Sequence, residues 1–195
     1  MCGLPMAMTN PPDLTINRAP ASEGTGLDSP LVPRWYALYT RSRFEKKMLS
    51  ELTDRRIEVF LPMREVLSRW KDRKKRIWIP LFPGYIFVNH VDTPENRFRI
   101  LNISGAVRFV GFEGHANPVP EEQILSVRKF LEASIAADPY PYVQVGTHVE
   151  VIAGPLKGIR GILVEKRGRF RFVIQVDLIR QAVSVEIDAS DVRPV

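Results

Sequence analysis

An α+β sandwich of antiparallel sheet and flanking helices, followed by a small all-β barrel, is the fold class this sequence predicts. Three observations predict it. Up to residue 137 helical spacing of apolar residues is interleaved with short aromatic and β-branched runs, whereas beyond residue 145 only strand-like alternation remains. Between them lies Asp138-Pro139-Tyr140-Pro141, where each residue before a proline avoids the helical region and each proline lacks an N–H for a ladder. The predicted organisation is a disordered tail over 1–33, an α+β domain over 34–137, a linker over 138–144 and a barrel over 145–195.

Residues 1–33 are rich in Pro, Ser, Thr, Gly and Asp and have no hydrophobic period, so they cannot bury enough surface to offset ordering entropy. Structure is expected from Arg34, where Trp35-Tyr36-Ala37-Leu38-Tyr39 has strand composition. Ser42-Arg43-Phe44-Glu45 matches a capping box, and Phe44, Met48 and Leu52 then recur on one face of a helix expected to end near Asp54. Ile57 to Met63 reads as a second strand, and Ile77 to His90 as an apolar segment broken at Pro80 and Pro83-Gly84. The basic run between them forms a hairpin. A helix over Pro94 to Leu101, a strand over Ala106 to Phe112 and a turn-rich stretch through Pro120 follow. From Glu121 the spacing of Ile124, Val127, Leu131 and Ile135 is helical, with Glu121 and Glu122 placed where the helix dipole favours acids.

In the last segment Phe170, Phe172, Ile174, Val176 and Leu178 alternate with Arg171, Val173, Gln175 and Asp177. Val183, Val185 and Ile187 likewise alternate with Ser184, Glu186 and Asp188. Glycines at 154, 158, 161 and 168 read as turns between short strands, and a closed barrel removes the exposed edges of so small a domain.

The charge is unevenly placed. Residues 1–33 carry net −2, residues 34–137 carry 19 basic against 12 acidic residues, and residues 138–195 carry net +1. Most of the excess is Arg69-Trp70-Lys71-Asp72-Arg73-Lys74-Lys75-Arg76, for which phosphate contact through counterion release and a solvated hairpin tip are both open readings. No run approaches the roughly 18 apolar residues of a membrane span, and the N-terminus lacks an apolar signal core. A soluble, cytoplasmic monomer is expected. Cys2 is the only cysteine, which excludes a disulfide framework and fits a reducing compartment. His90, His115 and His148 are far apart and stand in no HExxH or acidic cluster, so no metal or other cofactor is expected. Glu45, Glu51 and Asp72 lie among lysines and arginines, where surface charge balance is the plain reading. With no GxSxG and no GxxxxGK, catalysis is not expected.

Trp35-Tyr36-Ala37-Leu38-Tyr39, Phe44-Glu45-Lys46-Lys47 and Pro80-Leu81-Phe82-Pro83-Gly84-Tyr85-Ile86-Phe87-Val88 resemble, in order and spacing, the N-terminal (NGN) domain of NusG-type factors. Val145-Gly146 through Gly154-Pro155-Leu156-Lys157-Gly158-Ile159-Arg160-Gly161 resembles the KOW motif of their C-terminal, Src-homology-3-like barrel. Together these segments span residues 34–195. The Arg-Trp-Lys-Asp-Arg-Lys-Lys insertion and the proline-rich tail resemble the specialised RfaH and UpxY type, which serves polysaccharide or secondary-metabolite operons, more than housekeeping NusG.

The resemblance implies a transcription elongation and antitermination factor that binds the clamp helices of the largest RNA polymerase subunit through an apolar pocket and disfavours the paused state. Matching pocket positions are Tyr39, Phe82, Pro83, Tyr85 and Phe112. Tyr39 and Phe82 read as interface, while core and interface both remain open for Tyr85, Phe87 and Phe109. Contacts to the non-template DNA strand map to Asn96, Arg97 and Arg99, beside the hairpin residues Lys71, Arg73, Lys74, Lys75 and Arg76; a solvated helix face is the alternative. In the KOW barrel Leu156 and Ile179 are the matching partner-contact positions. Phe98 stands where a tryptophan is frequent, and Ile179 replaces a phenylalanine of the barrel, so an apolar contact survives there in kind but the aromatic anchor is lost. Rho binding is therefore not expected, and coupling to a small-subunit ribosomal protein stays open. No refolding of the barrel into helices is expected, given its two alternating strands and Gly-Pro turns. The rival readings are a KOW-containing ribosome- or structured-RNA-binding protein, which predicts salt-dependent RNA binding without polymerase, and a nucleic-acid-processing enzyme, which predicts turnover with magnesium.

Overall fold

The computed structural model describes residues 32–70, 73–112, 115–133, 138–140, 146–166 and 169–195. Tail residues 1–31 lie outside the described residues. In chain order the elements are β1 (Arg34–Thr40), α1 (Glu45–Asp54), β2 (Glu58–Phe60), β3 (Met63–Trp70), β4 (Arg73–Pro80), β5 (Tyr85–His90), α2 (Pro94–Leu101), β6 (Ala106–Phe109), β7 (Gly111–Phe112), β8 (His115–Ala116), β9 (Pro118–Val119) and α3 (Glu121–Glu132). There follow β10 (Asp138–Tyr140), β11 (Thr147–Val151), β12 (Arg160–Lys166), β13 (Arg169–Val176), β14 (Gln181–Glu186) and β15 (Val192–Pro194), with 3-10 turns at Asp177–Ile179 and Ala189–Asp191.

The first sheet is antiparallel in the order β2-β5-β1-β6, with β9 also paired to β1. Trp35, Tyr36, Ala37 and Leu38 are buried without interruption because both faces of this sheet are covered. Tyr36, Leu38, Ile86 and Val88 pack with Met48 and Leu52 of α1 and with Ile100 of α2. On the opposite face Trp35, Ala37, Phe60 and Phe87 pack with Ile124, Val127 and Phe130 of α3. Arg128 fastens this layer, its guanidinium 4.9 Å from the Trp35 ring and 5.0 Å from that of Phe60, with the Glu58 carboxylate 3.8 Å away.

Two local expectations are corrected. The strand expected over Ile57 to Met63 is split, because Pro62 has no N–H for a ladder; its carbonyl instead accepts from Leu81 N–H at 2.8 Å. Met63 then opens a long two-stranded ribbon, β3–β4, registered from Met63↔Pro80 to Trp70↔Arg73, so the basic run occupies the distal half of a ribbon. The capping box does not form. Phe44 is the residue before α1, no side chain caps the helix, and Ser42 lies outside it. The chain enters α1 through a turn in which Phe44 N–H donates to Arg41 C=O at 3.1 Å and Arg43 adopts φ +68°.

The C-terminal sheet is antiparallel in the order β10-β14-β13-β12-β11-β15. Its hydrogen bonding among the described residues runs as an open path from β10 to β15, where a closed barrel was expected. The stretch expected as a linker contributes strand β10, registered Asp138↔Ser184, Pro139↔Val183 and Tyr140↔Ala182; residues 141–145 lie outside the described residues. Phe172, Ile174 and Val176 enter the main core, while Val173, expected on a polar face, is buried with Ile162 and Ala182 beside Tyr140. Among the described residues no helix is long and apolar enough to cross a membrane.

Candidate functional site

The turn joining β4 to β5 organises the surface around it. Tyr85 N–H donates to Phe82 C=O at 3.1 Å, closing a β-turn with Pro83 and Gly84 at its centre, and Gly84 has φ +82°. This is the pairing that a type II turn favours, with proline fixing one φ and glycine admitting the positive one. A Cβ on Gly84 would lie 3.2 Å from the Tyr39 ring, so the glycine also lets the turn approach β1. Glu45 locks the turn. Its side chain, expected to be surface charge, is buried, and Oε1 accepts from Gly84 N–H at 2.8 Å, while Thr40 N–H donates to Gly84 C=O at 2.9 Å.

What the turn displays is aromatic. Tyr39 is exposed and Tyr85 half-buried, with ring centroids 5.4 Å apart, and the Arg108 guanidinium lies 5.8 Å from the Tyr39 ring. Pro83 is exposed at the apex, and Phe112 is exposed on β7. Phe82 is corrected: at 1% exposure it packs edge-on to Phe87, centroids 6.3 Å apart, and belongs to the core. The turn carries the backbone outward at Pro83 and leaves Leu81 and Phe82 beneath it. Phe87 resolves as core and Phe109 as half-buried.

Helix α2 forms as expected, with Thr93 as N-cap, its hydroxyl accepting from Asn96 N–H at 3.2 Å, and Pro94 at the first position. Two of its three expected DNA contacts have other partners. Asn96 Nδ2 donates to Val91 C=O at 2.9 Å, and Arg97 makes a two-pronged ion pair with Asp92. Hydrogen bonding from Arg97 holds the Asp92 carboxyl below its ordinary pKa. Arg99 is exposed, as is Phe98. Behind this helix His90 is buried against Tyr36 and Phe109, Nδ1 lies 2.9 Å from Val91 C=O, and burial lowers its pKa.

The other expected contacts are dispersed. Lys71 lies outside the described residues, as do the side chains of Arg73, Lys74 and Lys75; Arg76 is exposed, 3.6 Å from Glu65. Leu156 and Ile179, expected at a partner surface, are both buried in the main apolar cluster. That cluster continues from the first sheet through α3 into Val149, Phe172 and Val176 of the C-terminal sheet. At its margin Gln123 of α3 donates to Asp177 Oδ2 at 2.6 Å and accepts from Asp177 N–H at 3.2 Å. Sequence reading did not single out Glu45, Arg108 or Arg128 for these positions, since each takes its partner from a distant segment. No group of three metal-ligating side chains occurs among the described residues.

Residues 33–128 match the family model described as transcription termination factor nusG. The transcription termination/antitermination protein NusG of Staphylococcus carnosus (strain TM300) is 27% identical over 171 residues, covering 80% of this chain and 92% of that protein. Its counterpart in Staphylococcus aureus (strain Mu50) is 27% identical over 172 residues with the same coverages. Among solved structures, one described as domain interaction in Thermotoga maritima NusG superposes with a TM-score of 0.51 at 20% identity, covering 84% of this chain and 97% of that one. That last likeness is one of fold.

Proposed function

This chain is a NusG-type factor, and from that premise we propose that it binds the transcribing RNA polymerase and promotes processive elongation, with no chemistry of its own. The partner surface is the clamp helices of the largest subunit, and the role is antitermination within one long operon. The observation that carries the reading is the Glu45-locked turn. It holds Pro83, Tyr85 and Tyr39 as a rigid aromatic surface on strands, so little ordering entropy is lost when a helix docks there. A factor that prefers the closed clamp by about 1.4 kcal/mol shifts the pause equilibrium tenfold, so a modest interface is sufficient.

The test is capture of core RNA polymerase by the full chain, wild type against Tyr39→Ala/Tyr85→Ala, with folding of the variant verified by circular dichroism. Phe82 is excluded from the variant because its truncation would empty core volume. Capture by wild type and its loss in the folded variant support the proposal. Failure of wild type to capture polymerase, together with salt-dependent binding of structured RNA, would replace it with the RNA-binding reading.

A further inference from the structure

The aromatic surface at the β4–β5 turn has a charged flank. Strand register sets Tyr85 of β5, Tyr39 of β1 and Arg108 of β6 directly opposite one another, so the three side chains stand in a row on one face of the sheet. Adjacent strands lie about 4.8 Å apart, so the row is about 10 Å across, the width of one α-helix. Tyr39 and Tyr85 supply its apolar part. Arg108 ends it, exposed, with its guanidinium 5.8 Å from the Tyr39 ring. Arg41 stands on the same flank, also exposed, its N–H donating to Gly105 C=O at 2.8 Å just before β6.

Neither arginine has an acidic partner among the described residues. Two acids of the neighbouring helix α1 are engaged elsewhere: Glu45 accepts from Gly84 N–H, and Glu51 lies 3.7 Å from Lys47. A helix that covered the two tyrosines would take Arg108 out of water as well, and a desolvated guanidinium without a counter-charge opposes binding. A carboxylate offered beside the apolar stripe of that helix removes the cost, because arginine and carboxylate meet in a two-pronged geometry. Nucleic acid fits the row less well. Base stacking needs an open ring face, whereas Tyr39 carries the guanidinium over it and the Tyr85 ring tilted 57° beside it.

We propose that the partner docking on Tyr39 and Tyr85 is an amphipathic helix bearing an aspartate or glutamate beside its apolar stripe, and that Arg108 receives this carboxylate. Arg41 raises the positive potential of the same flank. The inference rests on the reading of this surface as the polymerase-binding face, and adds the charge by which the face selects its helix. The aromatic pair supplies affinity, and Arg108 supplies orientation and discrimination: a helix with a neutral residue at that position leaves the arginine unpaired, and one with a basic residue is repelled.

The test measures binding of the fluorescently labelled full chain to core RNA polymerase without nucleic acid, over a salt titration, for wild type, Arg108→Gln, Arg108→Glu and Arg108→Lys. Arg108 is exposed, so all four chains should share one melting temperature. Arg108→Gln should weaken binding about 30-fold and flatten its salt dependence, as loss of one covered charge pair does. Arg108→Glu should weaken it about tenfold further, because it sets like charges together, and Arg108→Lys should recover part of the loss. Wild-type affinity in Arg108→Gln, or equal affinities in Arg108→Gln and Arg108→Glu, overturns the inference while leaving polymerase binding in place. Variants that bind core polymerase as wild type does but lose affinity once nucleic acid is added also overturn it, and assign Arg108 to phosphate contact. No binding of core polymerase by wild type would sink the proposed function, and this inference with it.

Discussion

Glu45 illustrates how one side chain links fold to surface. Its carboxylate is buried at 5% exposure and accepts the Gly84 amide, so Glu45→Ala leaves a turn N–H without its partner. Unfolding free energy by urea titration should fall by about 1–3 kcal/mol, and Glu45→Gln, which keeps an oxygen there, should lose less. Equal losses in the two variants would show that the acceptor is not what matters. Gly84→Ala should cost about 1–2 kcal/mol, since φ +82° is disfavoured for a residue with a Cβ and that atom would press on Tyr39. His90 carries a pH dependence. Burial lowers its pKa, so the unfolded chain binds the proton more readily, and stability present above about pH 6.5 is lost as the pH falls toward the lowered folded value. The groups facing it are Tyr36, Phe109, Asp92 and Arg97. The urea midpoint should therefore drop on acidification below pH 6.5, with a shallower drop in His90→Gln; an identical slope in the variant would refute the assignment.

At the scale of elements, the same stretches that sequence reading misassigned are those where a tertiary partner outcompetes a local one. Ser42 and Glu45 have the spacing of a capping box, but Glu45 reaches Gly84, and the helix starts from a turn at Arg41–Phe44 instead. Asp138-Pro139-Tyr140-Pro141 reads as a break because its prolines bar both helix and central strand, yet an edge position tolerates Pro139, and β14 supplies the neighbour. Tyr140 then covers Ile162, Val173 and Ala182. A fragment of residues 138–195 should accordingly be more stable than one of 146–195, by about 1–2 kcal/mol from the lost ladder bonds and apolar contact. Comparison of their thermal unfolding by circular dichroism checks this, and a strand-type spectrum is expected from the longer fragment. Equal stability would mean that β10 adds nothing.

For the whole molecule, α3 is the common wall. Ile124, Val127 and Phe130 pack on the first sheet within a cluster that continues into the C-terminal sheet. Phe130→Ala should lower the unfolding free energy by about 3–5 kcal/mol, and should move the urea transitions reported by both domains together. A shift confined to signals from one sheet would show that the two cores are independent. The positive excess of residues 34–137 belongs to this scale too, as a field that draws polyanions toward the first domain before any contact forms.

Sequence by itself determined the helices at Pro94–Leu101 and at Glu121, the start of β1 at Arg34, the hairpin around the basic run, the all-β character of the C-terminal part and membership of the NusG type, because periodicity, turn chemistry and ordered motifs are local signals. Only the tertiary structure decided which aromatics are surface and which are core. Phe82 and Tyr85 are three residues apart with similar side chains, and only the outward turn at Pro83-Gly84 separates a buried ring from a half-exposed one. It likewise decided that Asn96 and Arg97 are engaged within the fold, and that Arg108, Gly111 and His115 share a cavity with α2. Burial and ion pairing depend on which distant segments share a wall, and spacing along the chain carries no record of that.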